Sequence, residues 1–169
     1  MKHAYVALGS NLADPIAQVR TAIAALGTLP QTQVIKVSSL YRTAPIGYKE
    51  DEVAQVPDFI NAVAELKTEL SPVELLDALF VIENAAGRER PYRYAPRILD
   101  CDLLLYEDEV LNTDKLTLPH PRMHSRGFVL LPLFEIAPEL SIPNHGKISA
   151  LLKPHLNAGI QKLKPEDAK

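Results

Sequence analysis

Residues 59–66 alternate cleanly, with Phe59, Asn61, Val63 and Glu65 on one side of an extended chain and Ile60, Ala62, Ala64 and Leu66 on the other. A period of two marks a strand, and here it predicts one over 59–70. Upstream, residues 3–9 read as a first strand ending in the turn Gly9-Ser10-Asn11. Ile16, Val19, Ile23 and Leu26 then recur at helical spacing. Asp14-Pro15 ahead of them supplies an N-cap and a proline suited to the first turn, and Gly27 a suitable stop. A second strand is predicted over 34–43, rich in Val, Ile, Thr, Ser and Tyr. Ser71-Pro72-Val73-Glu74 has the form of a capping box and opens a helix to about Ala86. A further strand is expected over 98–106.

Between these elements lie two long loops. Residues 44–57 hold Pro45, Gly47, Pro57 and the acidic run Glu50-Asp51-Glu52, and loops of that length in compact domains usually carry function. Residues 87–97 form an Arg-rich connection. Downstream, a short strand pair is expected around Val110 and Leu116, then a helix over 125–136, a last helix near 146–156, and a frayed polar tail over 162–169. The order βαββαβ with added C-terminal strands and helices predicts an α+β sandwich of ferredoxin-like type. A chain of 169 residues, 47% hydrophobic, is enough for one core, so 1–169 reads as a single catalytic domain.

Charge changes this picture little. With 18 Lys and Arg against 21 Asp and Glu, the near balance argues against nucleic-acid or membrane-surface partners. The N-terminal apolar run is too short for a signal peptide, and no apolar run reaches membrane length. Cys101, the lone cysteine, has no internal disulfide partner, which fits a reducing cytoplasm.

The candidate chemistry lies in Asp100-Cys101-Asp102. On a strand the two carboxylates share a face while Cys101 turns the other way, to serve as core filler. Adjacent carboxylates repel unless a proton or cation sits between them, and hard divalent ions such as Mg2+ take such oxygens together with substrate phosphates. A D-x-D alone reads more readily as a solvated strand end. Arg88, Arg90, Arg93 and Arg97, half of the chain's arginines, lie just upstream, and that cluster turns the reading toward a polyphosphate site.

Seven segments in collinear order resemble the 6-hydroxymethyl-7,8-dihydropterin pyrophosphokinase family. They are Gly9-Ser10-Asn11-Leu12, Ser39-Leu40-Tyr41-Arg42-Thr43-Ala44-Pro45, Asp58-Phe59-Ile60-Asn61-Ala62, Gly87-Arg88, Pro96-Arg97-Ile98-Leu99-Asp100-Cys101-Asp102, Leu118-Pro119-His120-Pro121 and Arg126-Gly127-Phe128-Val129-Leu130. The resemblance implies transfer of the β,γ-diphosphate of ATP to the pterin hydroxymethyl group, with release of AMP, in folate biosynthesis. It implies Asp100 and Asp102 as ligands of two Mg2+ ions and Arg88 and Arg97 on the transferring phosphates. Glu83, His120 and Arg126 would lie by the ATP. Thr43, Ala44, Ile46, Phe59, Asn61 and Phe128 would hold the pterin, the two phenylalanines against the ring and Asn61 at its polar edge. The expected enzyme is a cytoplasmic monomer whose partners are ATP and the pterin, with docking onto other folate-pathway enzymes left open.

Some positions depart from the family pattern. Tyr94, Ala95 and Cys101 stand where Trp, Gly and an aliphatic are common, Phe80 where some relatives carry a polar group near the nucleotide, and the 44–57 loop is long. Two rival readings are another two-metal phosphoryl or nucleotidyl transferase and a non-catalytic ligand-binding module. The Phe59, Asn61 and Phe128 set argues against the first, and the arginines beside paired aspartates against the second.

Overall fold

The computed structural model of the chain describes residues 1–11, 14–44, 58–86, 98–156 and 159–164. β1 (Lys2–Ser10) leads to α1 (Pro15–Leu26), whose first turn is capped by Asp14, the Oδ1 of which accepts from the Ala17 N–H. β2 (Thr32–Val37) and β3 (Tyr41–Thr43) follow, then β4 (Phe59–Thr68) and α2 (Pro72–Ala86). The predicted capping box forms reciprocally: Ser71 N–H donates to Glu74 Oε1 at 2.9 Å and Glu74 N–H to Ser71 Oγ at 3.2 Å. β5 (Asp100–Tyr106) completes the chemistry-bearing strands. Then come the short pair β6 (Leu111–Asn112) and β7 (Thr117–Leu118), α3 (Gly127–Ile136), the pair β8 (Ser141–Ile142) and β9 (Gly146–Lys147), α4 (Ile148–Leu152) and β10 (Ile160–Lys162).

Among the described residues the main sheet has six strands, in the order β10-β3-β4-β1-β5, with β2 pairing β4 beside β3; every pairing is antiparallel. The sheet separates two apolar cores. Val6 and Leu8 of β1, Ile60, Ala64 and Leu66 of β4, and Cys101 and Leu103 of β5 face α1 and α2. Val63 of β4 and Leu104 and Leu105 of β5 face α3 and α4, where Val129, Leu130 and Leu133 meet them. The register of β1 against β5 shifts between Tyr5 and Val6, which leaves Leu104 as an extra residue. Such a bulge frees local backbone groups, and here the Leu104 carbonyl accepts the His120 N–H at 2.9 Å.

Several expectations need correction. The predicted strand over 34–43 breaks between β2 and β3, because Ser38 turns its hydroxyl into the ladder: Ser38 Oγ accepts the Val63 N–H and donates to the Ser39 carbonyl. β4 stops at Thr68, whose Oγ1 accepts the Leu70 N–H. The last helix spans only Ile148–Leu152, followed by the 3-10 turn Lys153–His155. Residues 162–164 are ordered rather than frayed: β10 pairs with β3, and Leu163 is buried with its N–H on the Leu40 carbonyl, while residues 165–169 lie outside the described residues. Polar composition hid this strand because its partner lies about 120 residues earlier in the chain.

Leu66 lies fully buried between the registers of Ala4 and Val34. Leu66→Ala is expected to lower the unfolding free energy by about 2–5 kcal/mol. That shift appears in a urea titration as a lower midpoint with an unchanged slope.

Candidate active site

At one end of the sheet the face toward α3 is left uncovered, and the register determines what it presents. Gly9 pairs with Asn61 on one side and with Asp100 on the other, while Ala7 pairs with Asp102. Directly paired residues share a face, so the Asn61 amide and the two carboxylates point the same way, separated only by a hydrogen and a methyl group. Thr43 pairs with Phe59 and brings β3 to the same edge. Opposite this floor stands the start of α3, with Arg126, Phe128 and Val129. Together these residues and Ala44 line a cavity of about 210 Å3.

Gly9 lets the Asn61 amide sit close: a Cβ there would come within 2.7 Å of Asn61 Oδ1. Asn61 is only 7% exposed, and its buried Nδ2 has no hydrogen-bond partner among the described residues. An unmet donor of this kind is costly in a folded protein unless a ligand completes it. Arg126 holds its guanidinium carbon 5.6 Å from the centre of the Phe128 ring, within reach of a cation–π contact.

His120 stands behind the carboxylates, just after the cis peptide between Leu118 and Pro119. Its Nδ1 accepts the Arg122 N–H at 3.2 Å, so in the neutral ring the proton sits on Nε2. Burial pushes its pKa below the usual histidine value; Asp102 opposes that shift, while Arg126 and Arg122 add to it. Cys101 faces the other core, and burial followed by the Glu83, Asp102 and Asp100 charges raises its thiol pKa. It is an inert core residue rather than a nucleophile.

Thr43, Ala44, Phe59, Asn61, Asp100, Asp102, Arg126 and Phe128 are therefore brought together as the sequence led one to expect. Glu83 is not among them. It lies buried near the end of α2, on the helix layer across the sheet. Ile46, Arg88 and Arg97 lie outside the described residues, as do most of the 44–57 loop and the whole 87–97 loop. Phe80 is 45% exposed on α2. The sequence reading missed Ala7, Leu8, Ala62 and Val129 as cavity lining and gave Gly9 no role of its own. For Ala7, Gly9 and Ala62 the signal is smallness at cross-strand positions, visible only once the register is known; Leu8 and Val129 carry no such signal.

Compared with known proteins, residues 5–138 match the family described as 7,8-dihydro-6-hydroxymethylpterin-pyrophosphokinase (HPPK). A Haemophilus influenzae protein named 2-amino-4-hydroxy-6-hydroxymethyldihydropteridine pyrophosphokinase is 45% identical over 162 residues, covering 96% of this chain and 98% of that protein. A Pseudomonas aeruginosa protein of the same name is 43% identical, again covering 96% of this chain and 98% of the relative. Among solved structures, the fold resembles Plasmodium falciparum HPPK-DHPS with a TM-score of 0.68 at 17% identity. That match covers 92% of this chain but only 44% of the Plasmodium one, so the chain spans less than half of that structure.

Gly9→Ala is expected to leave the fold intact while forcing the Asn61 amide into another rotamer. A proton–nitrogen NMR spectrum checks this, because the Asn61 side-chain resonances must move. Unmoved resonances would rule out the close approach.

Proposed function

We propose that this chain, which belongs to the 7,8-dihydro-6-hydroxymethylpterin-pyrophosphokinase family, transfers the β,γ-diphosphate of ATP to the hydroxymethyl oxygen of 6-hydroxymethyl-7,8-dihydropterin and releases AMP. It is a pyrophosphokinase of folate biosynthesis. The finer assignments rest chiefly on one observation: the buried, unpartnered Asn61 Nδ2 shares a cavity with the paired carboxylates Asp100 and Asp102. That combination suits a ligand with a polar heteroaromatic edge at one end and phosphates at the other.

In this reading the pterin occupies the half of the cavity bounded by Phe59, Asn61 and Phe128. Asn61 donates from Nδ2 and accepts at Oδ1, which matches the mixed edge of an aminopyrimidinone. Thr43 and Ala44, with Ile46 beyond the described residues, complete that edge through backbone groups. Phe59 and Phe128 offer apolar faces to the ring. The polyphosphate runs past Arg126 toward His120, whose Nε2–H is available to donate to a phosphate oxygen. Arg88 and Arg97 are assigned the transferring phosphates and Glu83 the nucleotide through the sequence resemblance.

Asp100 and Asp102 fit Mg2+ in kind: both are hard oxygen donors on one strand face, next to a hydrogen at Gly9 and a methyl at Ala7, with the sulfur of Cys101 turned away. Two ions held there together with the ATP oxygens would offset the charge that builds on the attacking and leaving oxygens. The residues' own part is to hold acceptor and donor in line, with the hydroxymethyl oxygen facing the β-phosphorus.

The broader assignments follow from the same reading. We take the chain to act as a monomer. The fused HPPK-DHPS proteins support contact with other folate-pathway enzymes. The sheet order, taking β2 and β3 as one broken strand, supports a ferredoxin-like frame. Among the described residues no helix is long and apolar enough to cross a membrane, and we take the cytoplasm as the site of action.

The decisive assay measures the nucleotide product. AMP formed only with both Mg2+ and the hydroxymethyl-dihydropterin supports the reading; ADP, or no product, overturns it. Asp102→Ala is expected to lower turnover about a thousandfold or more. Its metal-free melting temperature should be no lower than the parent's, because one of two repelling charges is gone. Asn61→Ala should weaken pterin binding about tenfold by calorimetry, and unchanged affinity would refute this placement of the ring.

A further inference from the structure

At the far end of α3 from Phe128, about 10 Å along the helix axis, the Glu135 carboxylate gathers donors from a neighbouring strand. Its Oε1 accepts the Tyr41 hydroxyl at 2.6 Å and the Ser39 N–H at 3.0 Å. Its Oε2 accepts the Ser39 hydroxyl at 2.9 Å, with Lys162 Nζ of β10 at 3.9 Å. Burial alone would raise the Glu135 pKa, but the hydrogen bonds from Tyr41 and Ser39 and the charge of Lys162 outweigh it and hold the carboxyl below its usual range. The phenol of Tyr41, 3% exposed, is raised in turn by burial and by Glu135.

The strand gripped here is only three residues long. β3 pairs Tyr41 with Asn61 and Thr43 with Phe59, and it continues into Ala44 at the cavity. β10 pairs the other edge of β3, but a strand of three residues has few ladder bonds with which to fix its own position. α3 supplies the opposite wall through Phe128 and Val129. Glu135 thus ties the two walls of the same half-cavity together by side-chain hydrogen bonds, beside the packing of the C-terminal segment against both. Asp100 and Asp102 lie across the sheet on β5, which takes no part in this cluster.

We infer that Glu135 is a positioning residue for the pterin: by holding Tyr41 and Ser39 it fixes the spacing between the Thr43–Ala44 edge and Phe128, and so governs pterin recognition without touching the substrate. The inference rests on the pterin placement proposed above. Its consequence is asymmetric, since Asp100 and Asp102 lie on β5, outside the clasp, and the strand the clasp holds borders the pterin half of the cavity.

The test uses Glu135→Ala, Glu135→Gln and Tyr41→Phe in the full chain. AMP formation is measured against each substrate, and amide hydrogen exchange is measured separately without substrates. Glu135→Ala should raise the KM for pterin about tenfold, with the KM for ATP within about twofold. Glu135→Gln, which keeps one acceptor oxygen, should fall between parent and Ala. Exchange at residues 41–43 should quicken about fivefold or more in Glu135→Ala, while residues 100–102 keep their protection. Tyr41→Phe, which removes one donor and little volume, should give a smaller change of the same sign. Equal changes in both KM values, or unchanged exchange at 41–43, would overturn the inference. A parent chain that forms no AMP would instead strike the proposed function, and the exchange result would still decide whether Glu135 holds β3.

Discussion

The register of β1 between β4 and β5 is the constraint on which the site depends. Gly9 lies between Asn61 and Asp100, and Ala7 beside Asp102. Because side chains alternate, a one-residue slip of β1 would turn Gly9 and Ala7 away and set bulkier β1 side chains between the amide and the carboxylates. It would also turn Val6 and Leu8 out of the apolar layer under α1 and α2. The two cores prevent that slip. Val6, Leu8, Ile60 and Leu103 are held by one set of helices and Val63 and Leu105 by another, so neither face can be exchanged for the other without exposing apolar surface. The geometry of the candidate site is here a by-product of hydrophobic sorting on both sides of one strand.

The same sorting explains why the cavity lies where it does. α3 begins at Gly127 and covers the sheet only from that point on. Gly127 is itself demanded by close approach, since a Cβ there would meet His155 Cβ at 2.8 Å and Ile160 Cδ1 at 2.9 Å. The C-terminal segment therefore presses on the start of α3 and pairs with β3 at once, through Ile160 opposite Thr43. Both walls of the cavity are braced by the last described strand of the chain. A Gly127 side chain would push that brace away and loosen both walls together.

How much of this was legible in the sequence depended on the range of the interaction. Ser71 and Glu74 cap α2 as their spacing implied, because a capping box is complete within four residues. The alternation of β4 and of Asp100-Cys101-Asp102 assigned faces correctly, for the same local reason. Non-local facts stayed hidden. Ser38 breaks the second strand by bonding to Val63, 25 residues away, and nothing near Ser38 announces it. β10 looks like a polar tail until β3 is beside it. Asn61 was named from its motif and its strand face, yet its unmet Nδ2 and its contact with Gly9 appear only when the strands are paired. Glu135 reads as an ordinary carboxylate near the end of a helix until Ser39 and Tyr41 come within bonding distance.

The site is also where the fold departs most from its own rules. Several buried polar groups elsewhere are met: Tyr106 donates to the Leu70 carbonyl at 2.6 Å, and Thr68 is bonded to Thr32 and to Leu70, although His124 Nδ1, outside the cavity, has no partner among the described residues. In the cavity a buried amide lacks an acceptor and two carboxylates share a face. An unmet buried donor costs on the order of 1–3 kcal/mol, and two carboxylates on one face gain from a cation between them. Such defects persist only where the surrounding structure over-determines them. The paired strands and the two cores supply that surplus, and a ligand with a hydrogen-bonding edge and a metal-bound phosphate chain would relieve both defects together. Part of the binding free energy is then stored in the empty protein as a site already in its bound geometry, which spares the ligand the work of arranging it.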